Sequence, residues 1–180
     1  MDISELGSVL KDGFEGEVRL DDISRMLYST DASIYEMKPL GVVLPRTVQD
    51  IIQVVKVASD FGISLVPRGA GTSLAGQSVG RSLHLDFSKY LTGILELNAT
   101  ERWVRVEPGV VLDELNAFLR PHDLMFAPDV ATSSRANVGG MIGNNSSGAY
   151  SLIYGKTIDH VAEVTAVLSD SSLVRFGPLD

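Results

Sequence analysis

Apolar residues along this chain fall into short runs whose spacing changes from one run to the next. The run "GVVL" at 41–44 is rich in β-branched residues and is closed by Pro45, which is typical of a short strand. Thr47, followed three residues later by Asp50, resembles a capping box, and Gly62 is a typical stop for a helix. Between them, apolar residues recur at helical spacing at Ile51, Val54, Val55, Ala58 and Phe61. The pattern predicts a strand followed by a helix over residues 48–61.

A second apolar run, "ISLV" at 63–66, follows this helix directly. The order strand, helix, strand predicts a right-handed parallel crossover. The segment "PRGAGTSLAGQ" at 67–77 comes next, so we expect it at the carboxyl end of a parallel strand. Open α/β sheets bind their ligands at that edge.

The later part of the chain predicts shorter and more local elements. Leu83, Leu85 and Phe87 alternate with polar residues, which places His84 on the polar face of a strand. "GILEL" and "WVRVEPG" predict two more strands, a helix is expected over 113–119, and "VAEVTAVL" with "LVRF" predicts a closing hairpin. We interpret residues 1–38 as an N-terminal lead-in and residues 39–180 as one domain.

Composition narrows the function classes. The net charge is −8 and no cluster of Lys and Arg exceeds two residues, so nucleic acid is not an expected partner. The chain has no cysteine and only three histidines, and no metal site is predicted. The start is acidic, and no apolar run reaches the roughly 18 residues of a membrane span. We therefore expect a cytoplasmic protein with no membrane span.

Two glycine-rich segments carry the candidate chemistry. The segment 67–77 holds three glycines and one charged side chain, Arg68, in eleven residues, and the segment 127–157 holds five more glycines. Glycine lets backbone N–H groups approach a ligand closely and form an anion-binding concavity. Thr72, Ser73 and Gln77 would add neutral donors. These features predict a ligand between the two segments, with a diphosphate on the first.

Known phosphate motifs do not account for the first segment. Leu74 stands where a dinucleotide fingerprint has its third glycine, and Gln77 with Ser78 replaces the Lys-Ser/Thr pair of an NTPase loop.

The sequence has no nucleophile elbow and no histidine pair at metal-ligand spacing, so no catalytic residue is assigned. His84 is interpreted as structural, whereas His160 could line the site. A different nucleotide or sugar phosphate, or two merely structural loops, are alternatives.

Three stretches together resemble a known family: "VLPRTVQDIIQVVKVASDFGISLVPRGAGTSLAGQ", "VEPGVVLDELN" and "NVGGMIGNNSSGAYSLIYGKTIDHVAEVTAVLSD". They are similar to the FAD-binding PCMH-type domain of the vanillyl-alcohol oxidase superfamily, specifically to FAD-linked oxidases that include D-lactate and glycolate dehydrogenases. The resemblance implies an α+β fold with a βαβ-like N-terminal lobe and a lobe with a mixed or antiparallel sheet. It also implies that the domain is truncated before its C-terminal end and before any substrate-capping domain.

The resemblance further implies a set of FAD contacts in both segments. In the first loop they are Pro67, Arg68, Gly69, Ala70, Gly71, Thr72, Ser73, Gly76 and Gln77. In the second segment they are Pro128, Asp129, Ser133, Val138, Gly139, Gly140, Gly143, Asn144, Ser147, Gly148, Tyr154 and Gly155. Some members attach FAD through a histidine in the first loop. This loop has neither His nor Cys, so non-covalent FAD is expected.

The implied function is the FAD-binding portion of an FAD-dependent oxidoreductase that oxidises a 2-hydroxy acid, similar to D-lactate or glycolate, by hydride transfer to the flavin. The substrate would bind through a C-terminal region absent from these residues, and the electron acceptor is not predicted. The alternative is a stand-alone or partner-dependent FAD-binding module without turnover of its own.

Overall fold

The computed structural model describes residues 3–178. The helices are α1 (Ile3–Lys11), α2 (Asp22–Leu27), α3 (Val48–Phe61), α4 (Leu112–Leu119), α5 (Val138–Asn144) and α6 (Ser151–Tyr154). The strands are β1 (Glu17–Arg19), β2 (Gly41–Leu44), β3 (Leu65–Arg68), β4 (Leu83–Asp86), β5 (Ile94–Asn98), β6 (Trp103–Val106), β7 (Val164–Val167) and β8 (Leu173–Phe176). Across residues 3–178, no helix combines the length and the apolar character needed to cross a membrane.

The first lobe is built on a four-stranded sheet in the order β1-β2-β4-β3. Strands β2, β4 and β3 are parallel, and β1 adds an antiparallel edge. The expected parallel crossover is confirmed, but β2 and β3 are not neighbours, because β4 lies between them. The first glycine loop therefore follows the outermost parallel strand, β3.

Helix α3 has the predicted bounds and the predicted caps. The Thr47 hydroxyl accepts a hydrogen bond from the Asp50 N–H, and the Asp50 carboxylate accepts from the Thr47 N–H. Gly62 ends the helix in the left-handed conformation, with φ +63°. The Ile63 N–H is bonded to the Ala58 carbonyl in this cap, so it is not available to a sheet. This bond explains why β3 begins at Leu65 and not at Ile63.

The N-terminal residues belong to the same core as the sheet. Leu6 and Leu10 of α1 are fully buried and pack against Val43 of β2, Val54 of α3 and Leu83 of β4. Apolar burial of this kind is the main favourable term in folding. The stretch predicted as a lead-in thus supplies two helices, α1 and α2, and one strand, β1, to the first lobe.

The second lobe is antiparallel and more local in its contacts. Strands β5 and β6 pair as a hairpin, and α4 packs on it through Leu115 and Leu119. Strands β7 and β8 form the predicted closing hairpin, and β7 lies against α3 of the first lobe. The predicted fold class, an α+β domain with one βαβ-like lobe and one antiparallel lobe, is confirmed.

Strand β4 differs from the sequence expectation, because both of its faces are buried. His84 has no exposed surface, and neither ring nitrogen has a hydrogen-bond partner within residues 3–178. Burial and the nearby Arg68 charge lower the pKa of His84 to about 4. The "polar face" of β4 is therefore an interior face, and His84 is neutral there at physiological pH.

Asp50→Ala should destabilise the protein by about 2–4 kcal/mol, because a cap is lost and the N–H groups of Glu15, Arg46 and Thr47 lose a buried charged acceptor. The Asp50 carboxylate is 2 % exposed and also accepts from the Glu15 N–H at 3.0 Å and the Arg46 N–H at 2.7 Å. Chemical denaturation would measure the change. The control is Asp60→Ala at the exposed end of the same helix, which should change stability by less than about 0.5 kcal/mol.

Candidate functional site

The first glycine loop presents a run of unbonded backbone donors. Strand β3 ends at Arg68, whose carbonyl accepts from the Phe87 N–H at 3.0 Å. From Gly69 to Leu74, the six backbone N–H groups donate to no acceptor within residues 3–178. Backbone N–H groups that are left free in this way suit an anion. The run of free donors lies at the end of a parallel strand, as the sequence predicts, and its use as an amide cradle for an anion stays a prediction.

Arg68 faces the chain itself and not the outer side of the loop. Its guanidinium donates to the carbonyl oxygens of Ser78 (2.8 Å), Thr30 (2.7 Å) and Tyr28 (3.4 Å), and it lies 5.2 Å from the Tyr28 ring centroid. The residue is only 9 % exposed. The guanidinium is thus held by the chain's own carbonyls, and a contact of Arg68 with FAD stays a prediction. Arg68 stands directly before the loop and binds the Ser78 carbonyl directly after it, so it fixes the distance between the two ends of the loop.

Gly71 is next to this guanidinium and has a left-handed backbone conformation, which favours glycine. Its φ is +69°, and a Cβ built there would stand 2.6 Å from Arg68 Nη2. Gly76 is similar, with φ +70° and the Tyr35 ring 2.5 Å from a built Cβ. Between them, the Ser73 hydroxyl accepts from the Gln77 N–H at 3.3 Å and donates to the Gln77 side chain at 2.6 Å. Glycine is thus required at 71 and 76 by the loop itself.

Pro67 contacts a groove, whereas Ala70 is exposed to solvent. The Pro67 ring lines an apolar groove of about 250 Å³ on the α3 side of the sheet, together with Leu65 and Phe87. Ala70 is exposed, and Thr72 is half-buried. The free N–H groups of the loop do not line this groove.

Asn137 joins the two glycine-rich segments and was missed by the sequence analysis. Its Nδ2 donates to the Gly109 carbonyl at 2.6 Å, and its Oδ1 lies 2.6 Å from a Cβ built on Gly69. Asn137 is 4 % exposed, and its Oδ1 has no hydrogen-bond partner within residues 3–178. The close approach requires glycine at 69. The only sequence signal was an asparagine at the position before a helix, which is also typical of an ordinary N-cap.

Helix α5 brings the second segment against this point. The N–H groups of Val138 and Gly139 donate to the Val110 and Pro108 carbonyls, at 2.9 and 2.8 Å, so they are not available to a ligand. Gly139 also packs directly on Pro108. In contrast, Gly140 and Gly143 have no heavy atom within 4 Å of a built Cβ. Of the predicted glycines on α5, these two leave open space for a cofactor, and Asn144 beside them is exposed.

The residues around Asp129 form a packed corner of the second segment. The Asp129 Oδ1 accepts from the Tyr150 N–H at 3.0 Å, and a Cβ on Gly148 would stand 2.2 Å from the Asp129 carbonyl oxygen. Pro128 is buried and Ser147 is exposed. The Ser133 carbonyl accepts from the Asp113 N–H at 3.2 Å, which fixes the turn to α4. The structure thus assigns Asp129 and Gly148 a packing role that does not depend on any ligand.

The predicted Tyr154–Gly155 pair closes the second segment. The His160 Nε2 lies 2.7 Å from the Tyr154 carbonyl oxygen, and the His160 ring meets Phe126 edge-on at 5.7 Å. Gly155 has φ +85°, and a Cβ there would stand 2.6 Å from Asp159 Oδ2. His160 therefore holds the end of α6. No group of three or more potential metal ligands occurs within residues 3–178.

Comparisons with known proteins agree with this geometry. A family model described as an FAD binding domain matches residues 39–177. The chain belongs to this family. Among relatives, it is 46 % identical to D-2-hydroxyglutarate dehydrogenase of Haemophilus influenzae over 89 % of this chain and 16 % of that protein. It is 32 % identical to glycolate oxidase subunit GlcD of Bacillus subtilis, over 90 % of this chain and 35 % of that protein.

Solved structures show the same fold for the FAD binding domain. Alkyldihydroxyacetonephosphate synthase superposes with a TM-score of 0.87 at 19 % identity, over 98 % of this chain and 35 % of that one. p-Cresol methylhydroxylase superposes with a TM-score of 0.75 at 19 % identity, over 96 % of this chain and 34 % of that one. The FAD binding domain of this chain thus has the PCMH-type fold, and it spans between a sixth and about a third of these relatives.

Gly71→Val should lower the affinity of the FAD binding domain for FAD by more than about 100-fold, or about 3 kcal/mol. A β-branched residue there meets both an unfavourable φ and the Arg68 guanidinium, so the free N–H groups move. Titration of the purified protein with FAD, followed by fluorescence, measures the effect.

The matched control is Gly62→Val, at φ +63° with open space around a built Cβ. Gly62 precedes β3 and the loop follows it, so the two positions lie at opposite ends of one strand. This variant should lose stability but keep its affinity for FAD. Equal affinities in the two variants would contradict the role of the loop.

Proposed function

We propose that the first loop holds the diphosphate of FAD on its backbone N–H groups, without a covalent bond to the flavin. The single observation that carries this proposal is the run of six unbonded N–H groups from Gly69 to Leu74 at the end of a parallel strand. Neutral dipoles of this kind stabilise an anion without a metal ion. The absence of His and Cys between residues 67 and 77 supports non-covalent binding.

We infer that the flavin lies between this loop and α5. The contact of Gly69 with Asn137 places the two segments side by side, and Gly140 and Gly143 leave space on the helix. A flavin extended from the loop would pass over these two glycines. The isoalloxazine side would then lie toward Pro128, Asp129 and Ser133, as the family resemblance implies.

The whole protein's function is proposed to be the oxidation of a 2-hydroxy acid, with the flavin as hydride acceptor. Two relatives support this class, because one is a D-2-hydroxyglutarate dehydrogenase and the other is a glycolate oxidase subunit. D-2-hydroxyglutarate and glycolate, which these two names include, are both 2-hydroxy acids. The substrate would be bound by residues beyond those present here, and the chain shown would hold and orient the flavin. Its location in the cytoplasm remains a prediction.

A second candidate is a flavin-binding module without turnover of its own. This second candidate is favoured by the short length of the chain, which spans only 16 % of the D-2-hydroxyglutarate dehydrogenase relative. The two candidates share the cofactor site and differ only in whether a substrate can reduce the flavin.

The purified chain should bind FAD saturably, because six consecutive N–H groups of the loop have no acceptor within residues 3–178 and could donate to the diphosphate. Isothermal titration calorimetry with FAD tests this expectation, and riboflavin, which lacks the diphosphate, is the control ligand. Absence of FAD binding, or riboflavin binding as tight as FAD binding, would refute the diphosphate assignment.

Turnover is tested separately, by adding D-2-hydroxyglutarate, D-lactate or glycolate to the FAD-loaded chain without oxygen. Because the substrate-binding residues are proposed to lie elsewhere, the visible absorbance of the oxidised flavin should persist. Bleaching by any of these acids would show that the chain itself carries the substrate site.

A further inference from the structure

The first glycine loop rests on a segment outside the matched domain, residues 28–35 of the predicted lead-in. The Ala32 N–H donates to the Gly71 carbonyl at 3.0 Å, near the start of the loop. At the end of the loop, the Ser78 hydroxyl donates to Asp31 Oδ2 at 2.9 Å, and the Ser78 N–H approaches the same oxygen at 3.4 Å. Two consecutive residues of the segment thus hold both ends of the loop.

The bond from Ala32 decides where a loop N–H group points. The Gly71 carbonyl and the Thr72 N–H belong to one peptide unit, and residues 3–178 contain no cis peptide bond. In a planar trans unit the two groups point in opposite directions. Because the Gly71 oxygen is held toward Ala32, the Thr72 N–H is directed away from residues 28–35, to the side where it has no acceptor.

The Asp31 carboxylate fixes Ala32 as well as the loop end. Its Oδ1 accepts from the Ser33 N–H at 2.8 Å, so the turn that contains Ala32 is closed by the same side chain that binds Ser78. Hydrogen bonds to an ionised carboxylate are roughly twice as strong as those between neutral groups. Burial raises the pKa of Asp31, but the hydrogen bonds from Ser33 and Ser78 outweigh it, and the pKa lies below its ordinary value.

Asp31 has the wrong charge to attract a diphosphate. A carboxylate near an anion site opposes binding through the Coulomb interaction, and its neutralisation should strengthen binding if charge were its only effect. Geometry and charge therefore make opposite predictions for this residue. Removing the charge of Asp31 should raise the affinity for a diphosphate if only charge matters, and should lower it if Asp31 positions the loop.

We propose that Asp31 is a positioning residue for the diphosphate of the cofactor, acting through Ala32 and Ser78 to direct the loop's N–H groups outward. The inference rests on the proposed function, because it concerns the same loop and the same ligand. It extends the cofactor site to a segment of the chain that precedes the matched residues 39–177.

The test compares Asp31→Asn with the unaltered protein, with FAD and with ADP as ligands. The substitution keeps the size of the side chain but removes its charge, and one of the two oxygens that accept from Ser33 and Ser78 becomes an NH2 group, which cannot accept. We expect the affinity for both ligands to fall by about tenfold or more, the usual effect of losing a hydrogen bond to a charged group. In the ligand-free protein, the amide resonances of residues 69–74 should also shift in the ¹H–¹⁵N spectrum.

Two controls separate positioning from charge and from stability. Asp22→Asn removes an exposed carboxylate of the same N-terminal stretch that pairs with Lys38 and Arg25, and it should change the affinity by less than about twofold. Asp50→Ala lowers stability at a side chain that bonds Glu15, Arg46 and Thr47 and no loop residue, so it should leave the affinity of the folded protein unchanged. A loss confined to Asp31→Asn then reports position alone.

Binding of FAD by Asp31→Asn that is equal to or tighter than that of the unaltered protein would overturn the inference. If the unaltered protein binds neither FAD nor ADP, the proposed function fails, and this inference fails with it. Should Asp31→Asn not fold, Ser78→Ala decides, because it removes only the contact at the loop end. It should weaken FAD binding and shift the same amide resonances, and unchanged binding would again overturn the proposal.

Discussion

The buried guanidinium of Arg68 is the interaction on which the rest of the structure depends. A charge removed from water is costly unless polar groups replace its hydration. Here the replacement comes from three backbone carbonyls, at Tyr28, Thr30 and Ser78. Because each carbonyl belongs to a different stretch of chain from Arg68 itself, satisfying this one charge brings together the end of β3, the end of the glycine loop and the segment before β2.

This constraint explains why the loop can leave so many donors free. A glycine-rich loop with no internal support would have many conformations to lose on binding a ligand. Arg68 holds the carbonyls of Thr30 and Ser78, at the segment before β2 and at the end of the loop, and the Ala32 N–H holds the Gly71 carbonyl within the loop. The Thr72 N–H is consequently oriented before any ligand arrives, and preorganisation of this kind lowers the cost of binding.

In both glycine-rich segments, most glycines are in close contact with the chain itself, and few have open space beside them. The glycines at 69, 71, 76, 139, 148 and 155 are each required by a close approach or by a positive φ within the chain itself. Only Gly140 and Gly143 of the predicted set have open space beside them. Many of the residues that the family resemblance assigns to the cofactor therefore shape its site, and fewer of them border the space that it would occupy.

The sequence by itself determined the local elements, since these depend on short-range spacing. Helix α3 with its capping box, the β7–β8 hairpin and the position of the glycine loop after a strand could all be derived from neighbouring residues. Tertiary structure decided the rest. The insertion of β4 between β2 and β3, the inward turn of Arg68, the burial of His84 and the contact of Asn137 with Gly69 all join residues distant in sequence. Such contacts follow from which surfaces meet when helices, strands and loops pack together, and no local pattern of apolar and polar residues records that choice.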